Sequence, residues 1–525
     1  MRDVGQFVEI AALFAAITTD VAGYERFSAA YPTLEALADA YETMAPFEQQ
    51  TAQTLLTSRQ PTTLFGRIAQ TSYLSQLTGD PRFMRALTSD PELRAAPAAV
   101  RYFIQWQVLA RAFNRRGSVD QDTAQAVLRS YRALLQLYAR KLDLAFPLIP
   151  AEERDWDFVP IVTLQLLTRL HAPSADVLDY AARLVRMGKR PLLINSCLMP
   201  RAMAAPFFKA TIANHNEGFE ALQTMTHDGV TFDFLQCAPL MPDEPELSRI
   251  VRMLHAKRPG YVLSMGHSNL LADLCGSFTT TVGMPFGTDF QTTAASTYVL
   301  PRPWADGDEQ AAASLALARD NVLATPYAFR LPDSHRATTR ADLGASDTDI
   351  LLAVVGSRLD GDATREWMEQ LGAALDANPD VHVVFVGNFP AYEKRRALHP
   401  ALERQTSAVG IIDDVPALLA CCDLFLNPPR HGGGSTAAYA LARGVPVLTD
   451  PTGDVAMVAG AAALPGLAQL QETLAKWRSD MAWRSQQQDH ARQRWTQVSD
   501  RDSLLQGIDE LARRNADRRA PVFAA

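Results

Sequence analysis

The sequence predicts an α/β protein in which two open parallel-sheet domains stand in tandem behind an all-helical N-terminal domain. Three observations lead there. Residues 1 to about 150 repeat apolar side chains every three to four positions, with almost no strand-like run. From about residue 155, β-rich apolar runs alternate with amphipathic helices. A second alternating set begins near residue 348. At 525 residues the chain is too long for one core, so two or three domains are expected.

The helical domain rests on segments such as TLEALADAYETM (33–44), AVRYFIQWQVLARAF (99–113) and TAQAVLRSYRALLQLYARKL (123–142). No convincing repeat of about 34 residues emerges, which argues against a tetratricopeptide array. The opening MRDVGQFVEIAALFAAITTD holds an apolar run too short for a membrane span and interrupted by Glu9. It is expected to form an amphipathic helix.

The first α/β set starts with FVPIVTLQLL (158–167), a continuous apolar run. The helix HAPSADVLDYAARLVRMGK (171–189) and the strand RPLLINS (190–196) follow, giving a βαβ unit and hence a parallel sheet. TFDFLQC (231–237), the helix ELSRIVRMLHAKR (246–258), YVLSMG (261–266) and FTTTVGMP (278–285) continue the alternation. A Pro, Gly and acid-rich stretch at 298–314 reads as a boundary. Beyond it TDILLAVVGS (348–357), HVVFVGN (382–388), SAVGIID (407–413), DLFLNP (423–428) and VPVLTD (445–450) read as strands. The expected domains are therefore 1–152 (helical), 153–305 and 306–480 (sheet domains), with a helical tail at 481–525.

Composition narrows the function classes. A net charge of −8 without a long basic block argues against nucleic acid as the main partner, but leaves room for one locally positive phosphate site. The five cysteines, Cys197, Cys237, Cys275, Cys421 and Cys422, have neither metal spacing nor a disulfide framework, which fits a reducing, cytoplasmic setting.

The most informative stretch is LNPPRHGGGSTAAYALARGVPVLTD (426–450). A strand ends at Leu426, the chain turns through Asn427, Pro428 and Pro429, and a helix is expected from about Ser435 to Arg443. Free N–H groups and the positive dipole end of that helix suit an anion. Gly432, Gly433 and Gly434 let a phosphate approach the backbone, and Ser435 and Thr436 can cap the helix or donate to phosphate oxygens. The following strand, opened by Gly444, puts this loop at the C-terminal edge of a parallel sheet, where open α/β folds bind ligands. It is neither a Walker loop nor a G-x-G-x-x-G dinucleotide turn.

The block GIIDDVPALLACCDLFLNPPRHGGGSTAAYALARGVPVLTD resembles the nucleotide-sugar site of GT-B glycosyltransferases, which face two Rossmann-like domains across a cleft. The resemblance spans roughly residues 160–480. It implies that Arg358, in VVGSRL (354–359), reaches the donor diphosphate together with His431 and the glycine loop. It implies further that Asn388 in FVGN and Ile411, Ile412 and Pro416 in IIDDVP line the nucleotide base. Two glutamates eight positions apart mark the largest retaining GT-B family; here those positions hold His431 and Tyr439. A Gly/Thr-rich loop without them, behind a helical domain, resembles the O-GlcNAc transferase superfamily and its bacterial adhesin N-glucosyltransferases instead. VGMPFGTDFQTTAASTYVL (282–300) looks like that group too.

On the acceptor side three polar strand-end loops are expected at the cleft: RLHAPS (169–174), MGHSN (265–269) and GMPFGTD (283–289). His171 and His267 are candidate general bases, because an imidazole titrates near neutrality; each can equally be a structural residue at its turn. Asp289, beside Thr288, either orients a histidine or caps a turn. No metal is required, since helix terminus, Arg358 and hydroxyls can stabilise a leaving diphosphate. The acidic DGDA (360–363) reads as a polar turn.

The expected function is transfer of a hexosyl or N-acetylhexosaminyl group from a nucleotide-diphosphate sugar, UDP-linked, to a protein acceptor such as a flagellin or adhesin, docked through the helical domain. One alternative is a transferase acting on a glycan or lipid-linked acceptor. Another is a catalytically silent GT-B partner that presents substrate to a second transferase.

Overall fold

The computed structural model describes residues 4–115, 117–168, 171–198, 204–212, 215–334 and 338–523. Two sheets organise it. The first has eight strands: β1 (Phe158–Thr163), β2 (Arg190–Asn195), β3 (Thr224–His227), β4 (Val230–Gln236), β5 (Tyr261–Met265), β6 (Thr280–Met284), β7 (Thr297–Leu300) and β8 (Val322–Ala324). Their order is β3-β4-β2-β1-β5-β6-β7-β8, parallel throughout except for the β3–β4 hairpin. The second has six: β9 (Ile350–Gly356), β10 (Val381–Gly387), β11 (Thr406–Ala408), β12 (Leu424–Leu426), β13 (Val447–Thr449) and β14 (Ala463–Pro465). Their order is β11-β10-β9-β12-β13-β14, all parallel. In each sheet the order reverses beside the domain's first strand, between β1 and β5 and between β9 and β12. These are the switch points at which open α/β sheets hold ligands.

The strands are buried on both faces because helices cover both sides, so they read as continuous apolar runs. Several are shorter than the apolar pattern. β1 stops at Thr163, where its pairings with β2 and β5 also end; Leu164 and Leu166 stay buried in the loop that follows. Of SAVGIID only Ser407 and Ala408 join the sheet, as the end of β11. Short strands β7 and β8 lie within and beyond the expected boundary, so the first sheet runs on to Ala324 and the connection between domains is 325–349.

The helical region is fused to the first sheet domain. On one face, helix Ala98–Asn114 lends Tyr102, Trp106 and Ala110, and helix Gln121–Lys141 lends Tyr131, Leu134 and Tyr138, to the core around Val162, Leu192 and Leu270. On the other face Phe103, Ile104 and Val108 pack with Phe14, Phe27 and Tyr73. Polar clasps fix the join. The Tyr131 hydroxyl donates to Asp273, whose carboxylate also accepts from Thr293 Oγ1 and from the Ala294 N–H at 3.0 Å. The Tyr102 hydroxyl donates to the Ser268 carbonyl at 2.8 Å. Burial pushes the Asp273 carboxyl up to about 6.

The C-terminal helices divide between the domains. Met481–Gln497 packs on helix Gly434–Ala442 of the second domain. Arg501–Arg514 returns to the first, pairing Asp502 with Arg183, Arg501 with Asp179, and stacking Arg513 over Trp156 at 4.4 Å. The return crossing runs beside the connection: the Phe329 N–H donates to the Val498 carbonyl at 2.7 Å. Among the described residues no helix is long and apolar enough to cross a membrane, and the five cysteines are unpaired.

Candidate active site

The glycine loop lies at the β9/β12 switch point. Gly432 and Gly433 have φ of 85° and 84°, the left-handed region that a side chain disfavours. A Cβ on Gly433 would also meet Arg430 Nη2 at 2.8 Å. The helix begins at Gly434, one residue before the expected start, with Gly433 as its cap and no side-chain capping bond. Ser435 and Thr436 therefore occupy the first turn rather than the cap. Among the described residues no protein group hydrogen-bonds their hydroxyls, and the half-buried first turn has no side-chain cap, with the positive dipole end at its N–H groups.

Arg430, which the pattern reading passes over, shapes this loop from below. Its buried guanidinium donates to Asn427 Oδ1 at 2.8 Å, to the Val355 carbonyl at 2.7 Å and to Asp362 at 3.2 Å. It ties the ends of β9 and β12 together. The signal was its place between two prolines and a histidine, but an arginine in a loop gives no sign of burial. Asp362 is thus committed to Arg430, and Asp360 accepts from the Ala391 N–H at 2.8 Å, so both acids of DGDA have structural partners.

Arg358 lies beside the loop. Its Nη2 donates to the His431 carbonyl at 2.9 Å and its Nη1 to Asn114 Oδ1. The guanidinium lies 4.5 Å from the centre of the Phe113 ring, which also stacks on His431 at 6.3 Å. No carboxylate pairs with Arg358 among the described residues, so its charge stands uncancelled beside the glycines. One loop N–H is already taken: Asp454 accepts from Gly432 N–H at 2.6 Å through Oδ2, and from the N–H and hydroxyl of Thr288 at 2.8 Å through Oδ1. Asp454 thereby bridges the two sheet domains.

The expected base-contacting residues cluster at the ends of β10 and the segment after β11. Ile411 and Asn388 are exposed, Ile412 is half-buried and Pro416 is buried at the start of helix Val415–Leu419. The Gly387 N–H donates to the Gly410 carbonyl at 2.7 Å, holding the two loops side by side.

The acceptor edge differs. His171 opens helix Ala172–Arg186 and pairs through Nδ1 with Ser174 Oγ at 2.8 Å; the loop residues Arg169 and Leu170 before it lie outside the described residues. His267 follows β5 at the switch point, half-buried, its ring 5.1 Å from that of Trp106. Burial lowers both imidazoles, His267 to about 4, so both are neutral at pH 7. Asp289 orients neither histidine. It is exposed and paired with Arg302 at 3.3 Å, and its carbonyl accepts from Tyr298. The pattern reading also missed Asp176, five residues after His171 on the same helix. Tyr327 Oη donates to it at 3.1 Å, and burial pushes its carboxyl up to about 7. Burial, and after it the charge of Asp176, raises the phenol of Tyr439 on the glycine-loop helix. Asp179, His227 and Asp228 have the proximity of a metal site, but Arg330 and Arg501 pair with Asp179 there and oppose a cation.

Residues 351–472 match the family model described as "Glycosyl transferases group 1". The match lies in the second sheet domain, and two parallel-sheet domains behind a helical region make the fold GT-B-like. Comparison of the sequence with curated proteins gives no match. Among solved structures the chain is similar to a mutant of the Thermobaculum terrenum O-GlcNAc transferase, with 14 % identity, 98 % of each chain covered and a TM-score of 0.49. It is similar also to a glycosyltransferase from Rickettsia africae ESF-5, with 10 % identity, 67 % of this chain and 97 % of that one covered and a TM-score of 0.49. A third is WaaG, a glycosyltransferase involved in lipopolysaccharide biosynthesis, with 14 % identity, 67 % and 99 % covered and a TM-score of 0.43.

Proposed function

We propose that this protein is a glycosyltransferase that moves a sugar from a UDP-linked donor onto a protein hydroxyl or amide, and that the glycine loop with Arg358 holds the donor diphosphate. The observation that carries the reading is the pairing of a helix N-terminus without a side-chain cap, at Gly434–Thr436, with a guanidinium that no carboxylate neutralises. Such a pair favours negative charge and stabilises a diphosphate as it leaves. The family match over 351–472 covers this same domain.

For the acceptor proton, the candidates are the neutral imidazoles of His267 and His171, since a general base must be unprotonated to act. The fusion of the helical region to the acceptor-side sheet supports a protein acceptor, because it sets a broad helical surface beside that edge. Calorimetric titration of UDP, GDP, ADP and dTDP against the protein and Arg358→Ala tests the donor site. Micromolar binding of UDP, lost in the variant, is expected. Binding of another diphosphate instead corrects the base. Binding by none of the four removes the donor reading and favours a silent partner.

A further inference from the structure

The helical region meets the second sheet domain through the Glu42–Arg395 pair at 3.6 Å and also at the end of helix Ala98–Asn114. Phe113 there is 45 % exposed, so its ring is not held by a core. It lies instead against two donor-side groups, the Arg358 guanidinium at 4.5 Å and the His431 ring at 6.3 Å. A Cβ added to Gly432 would come within 3.3 Å of its Cζ, so the ring also closes over the glycine loop. Asn114 accepts from Arg358 through Oδ1, and is itself oriented by donating to Thr211 Oγ1 at 3.2 Å. The His431 carbonyl accepts from Nη2 of the guanidinium at 2.9 Å.

Three neutral groups thus hold one cation. A carboxylate would hold Arg358 as firmly but cancel the charge that an anion needs. An aromatic face, an amide oxygen and a peptide carbonyl fix the fork and leave the charge in place. An arginine ordered before the ligand arrives loses less side-chain freedom on binding. The exposed ring has no other packing role in view.

We propose that Phe113 and Asn114 are positioning residues of the donor site, holding Arg358 in the pose in which it meets the diphosphate. The inference rests on the donor reading above. It assigns the helical region a part in donor binding that the family match, confined to 351–472, does not contain. The donor site is then complete only when helix Ala98–Asn114 is docked.

The test uses the full chain. UDP, GDP, ADP and dTDP are titrated against wild type, Phe113→Ala, Phe113→Tyr, Asn114→Ala, Arg358→Gln and the Phe113→Ala/Arg358→Gln pair. Phe113→Ala is expected to weaken diphosphate binding by roughly three- to thirty-fold, within the range of a cation–π contact. Asn114→Ala is expected to weaken it less. Phe113→Tyr, which keeps the aromatic face, should bind within about twofold of wild type, and thermal midpoints should be unchanged. In the Arg358→Gln background the further loss from Phe113→Ala should be below about twofold, because the ring acts through the arginine. Wild-type affinity in Phe113→Ala, failure of tyrosine to rescue, or losses that multiply in the pair would each overturn the proposal while leaving the donor site standing. Absence of binding to wild type removes both.

Discussion

The two sheets share one strand order around their switch points, yet their ligand-facing edges are built from opposite materials. The glycine-loop edge is largely backbone: two left-handed glycines, a helix start without a side-chain cap, and one half-buried arginine that no carboxylate pairs among the described residues. The acceptor edge is side chains under cover. His267 lies against Trp106, Ser268 accepts from Tyr102, and Asp273 accepts from Tyr131, all three partners coming from the helical region. Topology places a crevice at each switch point, but what the loops carry and what lies over them sets its chemistry. An anion needs oriented dipoles and open access. A proton acceptor needs a desolvated, neutral ring, which only a covering element provides.

The comparison can be broken most forcefully at its structural base. Arg430→Met removes the buried guanidinium that joins β9 to β12 and strands Asp362, so a loss of about 3–5 kcal/mol is expected. Urea unfolding monitored by hydrogen exchange in β9 and β12 measures it; a loss under about 1 kcal/mol would show that the donor edge does not depend on this tie. Ser435→Ala with Thr436→Ala keeps the fold and should lower diphosphate affinity by about a hundredfold, near 2.7 kcal/mol. Unchanged affinity would mean that the hydroxyls, though free of protein partners, do not meet the donor.

On the covered side, Tyr131→Phe leaves the Asp273 carboxyl short of a buried donor and should cost about 1–3 kcal/mol. Limited proteolysis should then release the helical region before the sheets. A further difference lies in pH dependence. Burial lifts the Asp176 carboxyl to about 7 in the fold against 3.8 unfolded, so stability is eroded as pH rises from about 4 to 7 and levels off above that. His267 titrates near 4 against 6.5, so its protonation erodes stability as pH falls from about 6.5 to 4. Asp176→Asn should raise the melting temperature at pH 8 relative to wild type and change it little at pH 4. His267→Gln should flatten the acid limb. A parallel shift at every pH in either variant would refute the assigned titration.

Much of the donor edge was legible because its signal is local. Consecutive glycines, hydroxyls and a preceding strand end lie within a dozen residues, and Arg358 falls at the end of β9. The covered edge was not, because it is assembled from distant segments. The periodicity of 99–113 shows that helix Ala98–Asn114 buries apolar faces, but not that Trp106 covers a histidine some 160 residues away or that Phe113 meets an arginine in the other domain. Asp289 was read from its strand-end loop as orienting a histidine or capping a turn, whereas in space it pairs with Arg302. Strands β3, β7, β8 and β14, three or four residues long, lie outside the longer apolar runs that marked the other strands. The division at 305/306 followed a Pro and Gly-rich composition that turned out to flank β7.

The chain passes between its two sheet domains twice, at the 325–349 connection and again at Val498, with Phe329 and Val498 joined backbone to backbone. Heredity and engineering meet the same obstacle there. A chimaera that exchanges the donor half at one breakpoint inherits a final helix, Arg501–Arg514, whose Asp502, Arg501 and Arg513 were shaped by a different neighbour. Recombination that keeps the fold must cut on both sides of the same seam, so new donor specificities are grafted as an insert of roughly 326–498, with the terminal helix remaining native to the acceptor half.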